Sequence, residues 1–449
     1  MDLAMANRQR IEELPCIAHA PEDLETLLDA GSFRERLHLE ITQAKQRIYL
    51  VALYLENDTA GRNILTSLYQ AKQANPKLDI KVFVDWHRAQ RGLIGANKSD
   101  GNAAFYREYA EHYEHQIDVL GVPVRNREVF GVLHLKGFIV DDKVIYSGAS
   151  LNDVYLAQQD RYRYDRYHVL QNSALSDSMA NFINETLADS DAVNCLNQLV
   201  RPSTKALKGA IKDLRSQLQN ASYSFNNQAI AENQVGLTPL IGLGKRKNRL
   251  NKHICTLLAS AQTDITICTP YFNFPRLVSK EIKLALKRGV NVSIIIGDKT
   301  ANDFFIPPSE PFKTIAGLPY LYEVNLRKFA KQNENAISSG QLSLNLWRHD
   351  NNSFHLKGIW VDQQYMLITG NNLNPRAWKL DLENAILVHD KHQLLAQQNK
   401  QELDCIMQHT IRVNSYLMID SINSYPTDVK KLIKRIHRIK ADHILKQIL

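Results

Sequence analysis

HLKGFIVDD fills residues 134–142, and residues 355–363 read HLKGIWVDQ. One His-x-Lys means little. Two copies of His-x-Lys, each with an Asp five residues after the Lys and then a Gly (Gly148, Gly370) and an Asn (Asn152, Asn374), mark an internal duplication. Upstream, AKQRIYLVALYL (44–55) is echoed by AQTDITICTPYF (261–272), and both runs reach a tyrosine, Tyr54 or Tyr271. A helical pattern and a second β-rich run follow in each copy: LTSLYQAKQANP then DIKVFVD, and KEIKLALKRG then VNVSIII. Strand, helix, strand at this spacing predicts a βαβ unit with a largely buried sheet. The fold expected is therefore α/β, with two similar α/β/α domains about a pseudo-twofold axis and one site at their interface. The expected boundaries are 1–200 and 236–425, with a linker region at 201–235 that opens on a helix and a basic amphipathic helix at 426–449.

The motif itself predicts a strand. Alternate side chains of an extended chain share a face, which puts His134 beside Lys136 and His355 beside Lys357. DDK and DQQ then turn the chain, and VIYSG and MLITG return it to Asn152 and Asn374. The second turn is one residue longer, with seven residues between Asp362 and Gly370 against six between Asp141 and Gly148.

Two such faces meeting across a dyad supply two imidazoles, two ammonium groups and two carboxamides. That set fits phosphate-ester chemistry: lysines and amides stabilise phosphate oxygens, one neutral histidine attacks phosphorus, and the other gives up a proton. No Asp/Glu/His cluster of the kind that holds magnesium or zinc stands out, so no cofactor is expected. Each histidine also needs a carboxylate on its far nitrogen to fix the tautomer. Asp165, 31 residues after His134, and Glu383, 28 after His355, are assigned that role. Asp141 and Asp362 are expected to tie down the fold. Tyr271, Arg166 in RYRYDRYH (161–168), and Arg376 and Trp378 after the second motif are candidates for substrate contact.

Composition sets outer bounds. The chain has 449 residues, 44% hydrophobic and 23% charged, with a net charge of +8, which suits an anionic partner. No apolar run approaches the roughly 20 residues that span a bilayer. The start MDLAMANRQRIEELP carries no hydrophobic segment behind its charges, so no signal peptide is expected. Five scattered cysteines without a Cys-x-x-Cys argue for reduced thiols. GLGKRKNR (242–249) lacks the spacing of a nucleotide-binding phosphate loop.

The segments VLHLKGFIVDDKVIYSGASLNDVYL, RYRYDRYHVL, TICTPYFNFP, IIGDKTANDFFIP, LPYLYEVNLRKF and HLKGIWVDQQYMLITGNNLNPRAWKLDLENAIL resemble the phospholipase D superfamily. Within it they are similar to the bacterial CDP-diacylglycerol–serine O-phosphatidyltransferases. The resemblance implies CDP-diacylglycerol and L-serine as substrates, phosphatidylserine and CMP as products, and a phosphatidyl-histidine intermediate, with His134 as nucleophile and His355 as acid/base. It also implies a cytoplasmic protein peripherally bound to the inner face of the cell membrane. A phospholipase D-type hydrolase, another phosphatidyltransferase, a nuclease and a basic nucleic-acid-binding protein are the alternatives; two intact motifs disfavour the last, and nucleic acid is not the expected physiological substrate. For an anionic membrane surface the candidate contact is the tail, PTDVKKLIKRIHRIKADHILKQIL (426–449). Val429, Leu432, Ile433, Ile436 and Ile439 fall on one helical face, and Lys430, Lys431, Lys434, Arg435 and Arg438 on the other. Packing of the apolar face onto its own domain is the competing expectation.

Overall fold

The computed structural model describes residues 3–92 and 100–438. Each βαβ unit forms as its periodicity requires. In the first half the strands Arg47–Val51 and Asp79–Asp85 run parallel around the helix Thr59–Ala74. Asp58 caps that helix by accepting from the Gly61 amide. In the second half Asp264–Thr269 and Asn291–Gly297 run parallel around Arg276–Lys287, which ends before Gly289 in the left-handed region (φ 88°).

The two sheets repeat one order. From a parallel strand at one side, the first half runs Asp118–Val122, Asp79–Asp85, Arg47–Val51, Phe138–Val140, Lys143–Ser147, Tyr167–Gln171. The second runs Leu342–Trp347, Asn291–Gly297, Asp264–Thr269, Gly358–Val361, Tyr365–Thr369, Leu382–His389. A helix at Lys208–Asn220 lies in the expected linker. The N-terminus departs from the expected boundary: Ile17–His19 pairs with Val235–Leu243 in the second sheet, and the helix Leu3–Glu12 packs on Arg249–Ser260. Residues 3–19 therefore belong to the second unit, through long-range pairing that carries no local signal.

The motif strands begin later than expected. Phe138–Val140 and Gly358–Val361 are the strands, and His134, Lys136, His355 and Lys357 precede them. These preceding segments pair with the opposite half. Ser353–Phe354 runs parallel to Arg163–Tyr164, and the His355 amide donates to the Tyr164 carbonyl at 2.8 Å. On the other side Leu133 bridges Leu382, and the His134 amide donates to the Leu382 carbonyl at 3.0 Å. Asn384 seals this second ladder, accepting from the Lys136 amide and donating to the Lys136 carbonyl, both at 2.8 Å. One apolar cluster runs through both halves, from Ile48 and Phe138 to Trp347, Trp360 and Ile386.

Asp141 and Asp362 hold the fold as expected. Both lie at positive φ (51° and 53°) in the motif turns. Asp141 accepts from the Lys45, Gln46 and Arg47 amides, and Asp362 from those of Gln262, Thr263 and Asp264. The extra residue of the second copy is absorbed in its turn, since Val140 pairs with Lys143 but Val361 with Tyr365.

The C-terminal helix Thr427–Arg438 buries Val429 and Ile433 against Tyr320 and Tyr425, with Ile436 also buried. Its apolar face thus covers its own domain. Lys431, Lys434, Arg435 and Arg438 are exposed on the other face, and Lys430 is half-buried. Ile439 and the rest of the tail lie outside the described residues. Among the described residues no helix is long and apolar enough to cross a membrane.

Candidate active site

The cross-half ladders decide which carboxylate meets which histidine. Because His134 lies beside Leu382, its Nδ1 reaches Glu383 Oε2 at 2.9 Å. Because His355 lies beside Tyr164, its Nδ1 reaches Asp165 Oδ2 at 2.8 Å. Both expected carboxylates are present, but each serves the histidine of the opposite half. Counting forward along the chain from each histidine suggests the reverse pairing, and the strand register corrects it.

The two histidines differ in what surrounds their second nitrogen. His134 Nε2 has no hydrogen-bond partner among the described residues. The ring of His355 is crowded: the Tyr155 hydroxyl lies 3.2 Å from Nε2, and the Lys357 ammonium touches the ring and stands 3.2 Å from Asp165 Oδ2. Burial, then Lys136 and Lys357, hold His134 well below the ordinary imidazole range. Burial and Lys357 bring His355 down to about 4. Burial and Asp381 push the Glu383 carboxyl up, against the pull of Lys136 and Lys357. Burial would raise Asp165 too, but Lys357 and the His355 hydrogen bond outweigh it and lower it.

Lys136 and Lys357 are 2% and 0% exposed, so two ammonium groups share a nearly dry pocket. Burial and Lys357 lower Lys136 to about 8. Lys357 has Asp165, but Lys136 has only the Ala149 carbonyl at 3.4 Å among the described residues, and a bound phosphate ester would offset the cost of burying both charges. The motif glycines make room here. A Cβ at Gly148 would stand 2.7 Å from Asp165 Oδ2, and one at Gly370 2.6 Å from Lys136 Cγ. Asn152 and Asn374 each spend the side-chain oxygen on a turn, accepting from the Tyr155 and Ala377 amides. That leaves each Nδ2 without a partner among the described residues and free to donate to an anion.

The other candidates divide. Tyr271 is in the site, with its ring 6.1 Å from that of His355. Arg376 sits at the rim on the His134 side, bonded to Asp381 and to the Glu128 carbonyl, and its charge weighs on His134. Arg166 is elsewhere: it is 3% exposed, doubly bonded to Glu402 and stacked over Trp360. Period-two alternation accounts for this, since Asp165 faces the site and the next side chain faces away. Trp378 is buried in the second core, not at a rim. Sequence reasoning missed Tyr155 and Asp303, and reached Arg163 only as part of the RYRYDRYH cluster, from which it chose Arg166. All three occur singly, outside the repeat, although RYRYDRYH and ANDFF contain two of them.

Comparison with known proteins agrees with this architecture. Residues 254–407 match the family model described as cardiolipin synthase, PLD-like domain. The chain is 49% identical over 444 residues to the CDP-diacylglycerol–serine O-phosphatidyltransferase of Escherichia coli (strain K12), covering 99% of this chain and 98% of the relative. It superposes on the crystal structure of phosphatidylserine synthase from Haemophilus influenzae Rd KW20 with a TM-score of 0.96 at 47% identity, covering 99% of this chain and all of that one. A CDP-diacylglycerol–glycerol-3-phosphate 3-phosphatidyltransferase of Schizosaccharomyces pombe is 23% identical over 92% of this chain and 94% of its own length. Matching over nearly its whole length and built around two histidine–lysine motifs, the chain belongs to the CDP-diacylglycerol–serine O-phosphatidyltransferases of the phospholipase D superfamily.

Proposed function

We propose that this chain transfers the phosphatidyl group of CDP-diacylglycerol to L-serine, giving phosphatidylserine and CMP, through a phosphatidyl group carried on His134. The observation that carries the reading is the unlike pair of histidines over one lysine-lined pocket. In the reacting state Glu383 is ionised by its lysine neighbours and accepts from His134 Nδ1–H, the tautomer that leaves the Nε2 lone pair to attack phosphorus. As the bond to CMP breaks, His355 gives its proton to the leaving oxygen, and Asp165 stabilises the imidazolium beforehand. The bound diphosphate raises His355 toward that protonated state by offsetting the lysines. His355 then takes the proton of the serine hydroxyl, the serine oxygen attacks phosphorus, and the phosphorus–nitrogen bond breaks. Lys136, Lys357 and the Nδ2 groups of Asn152 and Asn374 stabilise the equatorial oxygens in both steps.

Two in-line displacements retain configuration. With a donor made chiral at the reacting phosphorus as a phosphorothioate, the phosphatidylserine formed should keep its configuration, and CMP release beyond the first turnover should depend on L-serine. Inversion would remove the histidine intermediate. The same reading expects the enzyme at an anionic membrane surface on the cytoplasmic side, with the exposed basic face of Thr427–Arg438 as one contact.

A further inference from the structure

The chemistry above leaves a charged pair unused on the His355 side of the cleft. Arg163 comes from the first half and Asp303 from a turn of the second, and Arg163 Nε lies 2.7 Å from Asp303 Oδ1. The side chains are 14% and 12% exposed, so both are largely withdrawn from bulk solvent. Arg163 Nε donates to the Ser353 hydroxyl at 3.4 Å beside its ion pair with Asp303, while neither terminal Nη has a hydrogen-bond partner among the described residues. Its guanidinium carbon lies over the Tyr155 ring, 4.5 Å from the centroid. Asp303 takes the Tyr271 hydroxyl on Oδ2 at 2.9 Å. Its Oδ1 is buried and makes no aligned hydrogen bond among the described residues, although Arg163 Nε lies 2.7 Å away, so one acceptor of the carboxylate stays unfilled. The Ser353 hydroxyl also supports Asp303. Tyr155 and Tyr271 both set their rings edge-on to His355, at 5.3 and 6.1 Å, so the pair stands one ring away from the acid/base.

The duplication makes the pair conspicuous. In the two cross-half ladders Tyr164 corresponds to Leu382, so Arg163 corresponds to Asp381. Asp381 is engaged, accepting from the Val132 amide and pairing with Arg376. The His134 side thus carries a carboxylate held by Val132 and Arg376 where the His355 side carries a guanidinium whose terminal nitrogens have no hydrogen-bond partner among the described residues.

We infer that Arg163 and Asp303 form the receptor for the acceptor amino acid, Arg163 taking the α-carboxylate of L-serine and Asp303 its α-ammonium. The inference rests on the phosphatidyltransferase reading above. Serine carries its two charged groups on one carbon, as a cation and an anion in contact require. Its hydroxyl is one carbon further out, toward His355. A guanidinium fork matches a carboxylate in shape as well as charge. The donor nucleotide has no ammonium for Asp303 to accept.

The test separates the half-reactions. Exchange of labelled CMP into CDP-diacylglycerol needs no acceptor, whereas phosphatidylserine formation does. In Asp303→Asn and Arg163→Gln the serine KM should rise by at least about 100-fold, while exchange falls by less than about 5-fold, because only a group that binds the acceptor is lost. Arg163→Lys should recover part of the loss. Discrimination should shift with the group removed. Asp303→Asn should narrow the preference for L-serine over glycerate, which lacks the ammonium, by at least about tenfold. Arg163→Gln should narrow it over ethanolamine, which lacks the carboxylate. Exchange and transfer falling together would overturn the inference, assigning the pair to the donor phosphates or to the fold. An unmoved serine KM would overturn it as well. A wild-type enzyme with neither exchange nor serine-dependent CMP release would overturn the phosphatidyltransferase reading and this inference with it.

Discussion

Burial and a neighbouring ammonium bring Lys136 down to about 8, and this gives the site a pH dependence that can be read in advance. Below that value Lys136 is charged and binds phosphate; above it the charge is lost. In the free enzyme kcat/KM should therefore fall as pH rises through about 8. The bound anion restores the proton, so the alkaline limb of kcat should lie at higher pH. Lys136→Arg keeps its charge throughout and should lose the limb, although at lower absolute activity because the fork does not fit the space of an ammonium. A pH–rate profile from 6 to 10 checks this, and a limb that persists in the arginine variant would assign it to another group. At this scale the sequence was legible wherever it repeated. His134, His355, their lysines and their asparagines are visible because each occurs twice in register. Asp165 and Glu383 were legible as carboxylates but not as partners, since separation along the chain says nothing about which strand edge they meet. Arg163, Asp303 and Tyr155 occur once each and carried no such signal.

Among the elements, the βαβ units followed from periodicity and the motif strands did not start where alternation placed them. Extended backbone alone does not make a sheet strand; the His-x-Lys segments find their partners across the interface. The C-terminal helix was legible as amphipathic, but not what its apolar face covers. The structure packs Val429 and Ile433, 2% and 1% exposed, against Tyr320 and Tyr425. Ile433→Ala should therefore cost about 2 kcal/mol of stability, by denaturant unfolding. The exposed basic face separates stability from recruitment. Lys431→Glu, Lys434→Glu and Arg435→Glu together should change stability by less than about 1 kcal/mol. They should weaken binding to anionic vesicles by roughly 1 kcal/mol per residue, an effect that salt mimics. Unchanged vesicle binding would move the membrane contact to another surface.

For the whole molecule, the decisive feature is that each histidine is completed by the opposite half of one chain. Mixing or co-expressing a His134→Ala chain with a His355→Ala chain should restore no activity, because neither chain retains both dyads. Recovery of CMP release above that of either variant alone would show that halves exchange between chains. Two α/β units and their pseudo-dyad were legible from the offset repeats. The transfer of residues 3–19 to the second sheet was not, because a three-residue strand such as Ile17–His19 is too short for a periodic pattern.

The crossed dyads also bear on ancestry. A half with one motif holds an imidazole and a carboxylate that cannot meet each other, so an unfused ancestor could have worked only as a pair of identical copies. In such a pair every mutation strikes both dyads at once, and nucleophile and acid/base cannot specialise. Joining the copies into one gene lifted that constraint. The present asymmetry, a guanidinium at position 163 paired with Asp303 where its counterpart Asp381 is a carboxylate paired with Arg376, is a divergence that a symmetric ancestor could not have reached.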